Sequence, residues 1–255
     1  MLKLGRGLKS KVQGSYDEAV MSAAGQAPWQ AAVERLAVLL AGADCQNAEV
    51  SIVLSSRLVQ YAAISFDAQL KKYSEQEAFA RHFLNQTYGP VAEQWDLRIQ
   101  KGKEGKPSLV SAVDRMLLAG LRQACAANRL KLCSVTPGLM PVVNRFRNIM
   151  KADPAWLVVG EPGHALFALL DKGEFAAVSG VNHDGLHELH KLLDREALVA
   201  ALPQPCRAVY LYTTDSGSLQ GAASGYEVTR LEASLPENVP QVEAGLYALA
   251  LGGTL

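Results

Sequence analysis

Trp156 to Gly180 reads WLVVGEPGHALFALLDKGEFAAVSG. An apolar run enters a turn at Glu161-Pro162-Gly163, a second run follows to Leu170, and Asp171-Lys172-Gly173 turns the chain into a third. Tight Gly- and Pro-containing turns between apolar runs are the strongest short-range signal of β-hairpins, so the stretch predicts three consecutive strands. In a phosphate-binding hairpin an acid orients a metal-bound water, and a glycine lets backbone N–H groups close on the phosphate. Glu161 and Gly163 hold those two places. His164 and Ala165 stand where small hydroxyl side chains would touch phosphate, and Pro162 removes one N–H donor. The expectation is a hairpin kept and its phosphate chemistry lost. The plain alternative is a β-turn with no ligand.

Upstream, Asp153-Pro154 is the best boundary, dividing the chain into a first α/β lobe over 1–153 and a second over 154–255. In the first, PWQAAVERLAVLL (Pro28 to Leu40) has apolar residues at helical spacing. AEVSIVLS and RLVQYAAISF read as a strand pair broken at Ser55-Ser56. Ser74 and Glu77 read as the capping box of a helix that Gly89-Pro90 stops. WDLRIQ, GKEGKP and SLVSAV make a hairpin with a solvated tip, VDRMLLAGLRQACAAN a helix ending at Asn128, KLCSVTP a strand, and GLMPVVNRFRNIM a short helix. In the second lobe Asp184 is expected to cap the helix GLHELHKLLDREALVAAL. RAVYLYTTD and YEVTRLEA are strands around the loop DSGSLQGAASG, and VEAGLYALALGG closes the chain as a helix. Strands before helices in each half point to two related lobes.

The chain has 255 residues, 49% hydrophobic and 20% charged, with formal net charge zero. That is the balance of a globular protein with a large core, without the basic excess that attracts nucleic acid or anionic lipid. No apolar run approaches the roughly 18 residues of a spanning helix, so direct membrane insertion is not expected. The first twenty residues lack the apolar core of a signal peptide, and a cytoplasmic location is expected. Cys45, Cys125, Cys133 and Cys206 form no C-x-x-C pair and read as reduced, buried thiols.

His183, His187 and His190 fall at i, i+4 and i+7, one face of a helix that starts early enough, and make the sharpest metal hypothesis. HDGLHELH does not match H-E-x-x-H, so a surface histidine face is the competing reading. GKEGKP lacks phosphate-loop spacing. No G-x-S-x-G elbow or strand-borne G-x-G-x-x-G is present. Arg145 and Arg147 beside Phe146 and Met150 read either as an interface anchor or as an ordinary amphipathic helix.

With these phrases in place, the chain resembles the actin-like pilus-assembly proteins of type IV pili, the PilM family, and the related cytoplasmic domain of the type II secretion platform protein L. The stretch from Trp156 to Gly180 is similar to that family's second phosphate hairpin, with Glu161 and Gly163 on the acid and the glycine, while His164 and Ala165 depart from its small hydroxyls. GLYALALGG resembles the family's closing helix. RAVYLYTTDSGS lies where the family has a strand leading to a paired-glycine adenosine loop, of which Gly217 remains. LKLGRGLKSKV supplies at most one strand and no acid for the first phosphate loop. The resemblance implies an actin-like ATPase (ribonuclease H-like) fold whose nucleotide elements, Glu161, Gly163 and Gly217, are eroded together. It further implies a non-catalytic adaptor without a cofactor, docked at the inner membrane on the cytoplasmic tail of a pilus or secretion assembly protein. Two alternatives stand beside it: an ATPase of the same fold using Glu161 with ATP and magnesium, and a metal-dependent enzyme built on the three histidines.

Overall fold

The computed structural model describes residues 2–4, 12–15, 20–23, 25–43, 45, 47–201, 206–213 and 224–232. Gly217 and the expected closing helix lie outside them.

The second half is built on the quoted stretch. β8 (Ala155–Glu161), β9 (His164–Asp171) and β10 (Glu174–Asn182) form an antiparallel meander. β11 (Ala208–Thr213) lies parallel to β8, and β12 (Glu227–Arg230) parallel to β11, giving a five-stranded sheet of order β10-β9-β8-β11-β12. Every residue of β8 is buried, and its two faces serve different cores. Leu157 and Val159 pack with Leu139, Val142 and Phe146 of α4 (Leu139–Phe146). Trp156 and Val158 pack with Leu189 and Leu193 of α5 (Leu189–Val199). A strand covered on both sides reads as a continuous apolar run rather than an alternating one, which is why WLVV stands out in the sequence.

The first half carries smaller sheets. β1 (Leu2–Leu4) and β2 (Val12–Ser15) pair antiparallel. β3 (Glu49–Leu54) and β4 (Gln60–Ile64) form where expected but do not pair with each other. β3 runs parallel to β7 (Lys131–Pro137), and β4 joins β6 (Ser108–Asp114) and β5 (Trp95–Gln100) in a three-stranded sheet of order β4-β6-β5. The 3-10 turn Ser56–Leu58 separates β3 and β4, so the break at Ser55-Ser56 is a sheet switch rather than a hairpin. α1 (Gln30–Gly42) and α3 (Arg115–Ala127) cover β3 and β7 through Leu40, Ala124 and Cys125. α2 (Tyr73–Tyr88) covers the three-stranded sheet through Ala80 and Leu84.

Local chemistry explains the ends of these elements. Asp114 caps α3 by accepting from Met116 N at 2.7 Å, an oxygen satisfying one of the unpaired N–H groups of a first turn. α2 begins one residue before Ser74, and its reciprocal bond is from Lys72 N to Glu75 rather than between Ser74 and Glu77. α5 starts at Leu189, not after Asp184, because Gly185 has φ +147 and Leu186–Glu188 form a separate 3-10 turn. Cys125 and Cys206 are buried, but Cys45 is half-buried and Cys133 is exposed on β7, so the buried-thiol reading holds for two of the four. Phe146 is buried in the core, which makes its helix the ordinary amphipathic one rather than an interface anchor.

Candidate functional site: a clasped hairpin and a neighbouring cleft

The turn between β8 and β9 has Pro162 at its first central position and Gly163 at φ +70 at its second, the residue pattern of a type II turn. The turn between β9 and β10 differs: Lys172 and Gly173 both have positive φ, 56° and 73°, the arrangement that matches strand twist. The first turn is thus the unusual one, and its surroundings account for it. The Pro162 carbonyl accepts from Arg57 Nη2 at 2.9 Å. The Gly163 carbonyl accepts from His183 N at 3.2 Å. A Cβ at Gly163 would lie 2.6 Å from Arg57 Nη2, so glycine is required both for backbone conformation and for this close approach.

Glu161 is buried, and its carboxylate is occupied. Ser56 N donates to Oε1 at 2.7 Å, Ser56 Oγ donates to the same oxygen at 2.6 Å, and Ser55 Oγ donates to Oε2. All three donors come from the switch between β3 and β4, about a hundred residues earlier in the chain. A buried carboxylate persists only when its lone pairs are met, and here the chain's own turn meets them. The segment Ser55-Ser56-Arg57 therefore occupies the hairpin from inside, serines on the acid and arginine over the glycine.

His164 lies on the same face. It pairs across the strands with Glu161 on one side and Asn182 on the other, and its Nδ1 is 3.1 Å from Asn182 Oδ1. An amide oxygen only accepts, so Nδ1 is assigned the proton. Nε2 is buried without a hydrogen-bond partner. Ala165 points to the opposite face, into the core under α5. His164 and Ala165, the two residues after the glycine, carry no hydroxyl.

The three candidate metal histidines are not brought together. His183 precedes Gly185 and accepts from its N–H through Nδ1 at 2.9 Å, His187 is in the 3-10 turn, and His190 is in the first turn of α5. They share no continuous helix, and no group of three or more His, Cys, Asp or Glu placed to hold a metal ion occurs among the described residues. The GKEGKP tip is exposed at Lys103, Glu104 and Gly105, and its lysines also reach the β9–β10 turn. Lys106 pairs with Asp171, and Lys103 pairs with Glu174 at 3.1 Å and reaches the Lys172 carbonyl. That ion pair holds the Asp171 carboxyl below its usual 3.8.

A cleft of 460 Å³ opens between the β5–β6 hairpin and β7, which sequence reasoning missed because its walls are far apart in the chain. Ile99, Gln100 and Leu109 line one wall, Leu132, Cys133 and Val135 the other, and Leu54 and Tyr61 the inner end. Arg98 and Arg122 stand at its border; Arg98 is held by Asp96 at 3.4 Å, and Arg122 is exposed. β5 and β7 are both edge strands among the described residues; on β5 the Trp95 and Leu97 carbonyls accept from Arg81 and Arg98. Tyr61 joins the cleft to the clasp. Burial, with the Glu161 charge adding to it, raises its hydroxyl far above the usual 10, against a smaller opposing effect of the Leu139 backbone.

No family model and no curated protein matches the sequence. Among solved structures, a chain of a PilM–PilN type IV pilus biogenesis complex matches with TM-score 0.67 and 16% identity, covering 99% of this chain and 93% of that one. The cytoplasmic domain of EpsL, an inner-membrane component of the type II secretion system of Vibrio cholerae, matches with TM-score 0.49 and 14% identity over 86% of this chain and 80% of that one. A Bacteroides thetaiotaomicron protein with an actin-like ATPase fold and unknown function matches with TM-score 0.49 and 10% identity over 72% and 68%. What the first of these shares with the chain at that identity is the fold. The chain has the actin-like fold.

Proposed function

We propose that the chain is a non-catalytic adaptor of type IV pilus or type II secretion assembly, held at the cytoplasmic side of the inner membrane by a membrane-protein partner. The observation that carries this reading is the clasp. An acid that is to orient a metal-bound water needs free lone pairs, and a phosphate hairpin needs open N–H groups over its glycine. Here Ser55 and Ser56 place three donors on the roughly four lone-pair sites of Glu161, and Arg57 lies against Gly163.

The likeness to a chain of a PilM–PilN complex supports a protein partner as the ligand. The cleft supports the same reading, since an extended tail adds as a strand to a free edge and seats alternate side chains in the pocket beside it. We assign the cleft beside β5 and β7 to the cytoplasmic tail of the inner-membrane partner. No helix among the described residues is long and apolar enough to cross a membrane, and attachment would run through that tail. The test is a photo-crosslinking residue at Gln100, in cells that make the pilus or secretion machine. A crosslink to an inner-membrane component of the machine, lost with Val135→Glu on the facing wall, is expected. Crosslinks only to soluble proteins, or none, contradict the assignment.

A further inference from the structure

The three-stranded sheet is fastened to the five-stranded one at both ends of β9. At one end is the clasp of Ser55, Ser56 and Arg57 on Glu161 and Pro162. At the other, the tip of the β5–β6 hairpin is tied through Lys106 to Asp171 and Lys103 to Glu174. β9 has eight residues, so its ends stand about 23 Å apart at about 3.3 Å per step. Between them β4 packs along β10.

The two fastenings differ in kind. The clasp is a buried carboxylate with three donors, the type of contact that fixes geometry because losing it leaves buried polar groups unmet. The latch is a pair of salt bridges at the surface, with Lys103 exposed and Lys106, Asp171 and Glu174 half-buried. Such pairs contribute little to stability and are screened by salt. The cleft-lining residues Gln100 and Leu109 flank the latch end of the β5–β6 hairpin, whereas Leu54 and Tyr61 flank the clasp.

We propose that the three-stranded sheet is a swinging wall of the cleft, pinned at the Glu161 clasp and released at the Lys103 and Lys106 latch, so that opening the latch widens the cleft at Gln100 and Leu109. This rests on the cleft being the partner's seat for its use, but the motion itself does not. Partner docking would shift the wall toward its open position, and the latch would set how much of that position exists beforehand.

Amide hydrogen exchange on the whole chain tests it without any partner. With Lys103→Ala and Lys106→Ala combined, exchange in 95–100 and 108–114 should quicken about threefold or more while the buried strand 164–171 is unchanged. High salt should quicken the same segments in the unsubstituted protein and add nothing in the double variant. Charge reversal of both sides, Lys106→Asp with Asp171→Lys, should return the rate toward the original. Equal exchange in the double variant and the unsubstituted protein overturns the proposal, as does quickening spread evenly over all strands. Failure of the Gln100 crosslink would leave these rates unaffected, so the two readings fall separately.

Discussion

The guanidinium of Arg57 lies over Gly163, its Nη2 donating to the Pro162 carbonyl at 2.9 Å and standing 2.6 Å from where a Cβ on the glycine would be. In a working phosphate hairpin that space belongs to the ligand, and the backbone there offers N–H groups. Here the turn offers a carbonyl, and a cation of the same chain takes it.

Gly163 and Arg57 are therefore expected to be energetically coupled. Gly163→Ala places a side chain at φ +70, costing about 1–2 kcal/mol, and displaces the guanidinium besides. In an Arg57→Ala background only the backbone cost should remain, so urea denaturation of the double-mutant cycle should give a coupling of about 0.5 kcal/mol or more. Strict additivity would mean the two residues do not meet in solution.

Glu161→Ala should destabilise the fold by about 2–3 kcal/mol, because Ser56 N–H is left buried without an acceptor. Glu161→Gln keeps one accepting oxygen and should cost less. Equal stability of all three proteins in urea would show that the carboxylate is solvated rather than clasped.

Phe167→Ala should be the more damaging core change, about 3–5 kcal/mol. Its ring is fully buried midway along β9, on the face under α5. A loss comparable to that of an exposed position such as Leu198→Ala would contradict that packing.

The latch carries a pH signature. The Lys106 ammonium lowers the folded-state pKa of Asp171 below its usual 3.8, so the unfolded chain holds the proton more readily than the folded one. The stabilising contribution is whole above that usual value and is lost as pH falls through the lowered one. A carbon-detected NMR titration should place the Asp171 midpoint below 3.8 and move it up in Lys106→Ala. An unmoved midpoint would show the pair is open in solution.

Much of the second half was legible because its signals are local. The turns at 161–164 and 171–174 announce the meander, and the apolar run WLVV announces a strand buried on both faces. The parallel pairing of β3 with β7 was not legible, since its partners are about eighty residues apart and nothing in AEVSIVLS names KLCSVTP. Helical spacing made His183, His187 and His190 look aligned, while Gly185, which unwinds that register, carried the contrary signal. The acid and glycine of the site were visible as Glu161 and Gly163. Their occupants were not: Ser55-Ser56-Arg57 reads as a polar break between strands, and two serines beside an arginine look the same whether they face water or a carboxylate a hundred residues away.

The most direct test is a calorimetric titration of ATP with magnesium into the purified chain, repeated with Glu161→Ala. Because Ser55, Ser56 and Arg57 already fill the hairpin, the account predicts no heat beyond dilution in either protein. Micromolar binding in the unsubstituted chain that disappears in Glu161→Ala would contradict it, and would mean that the clasp opens to admit a nucleotide.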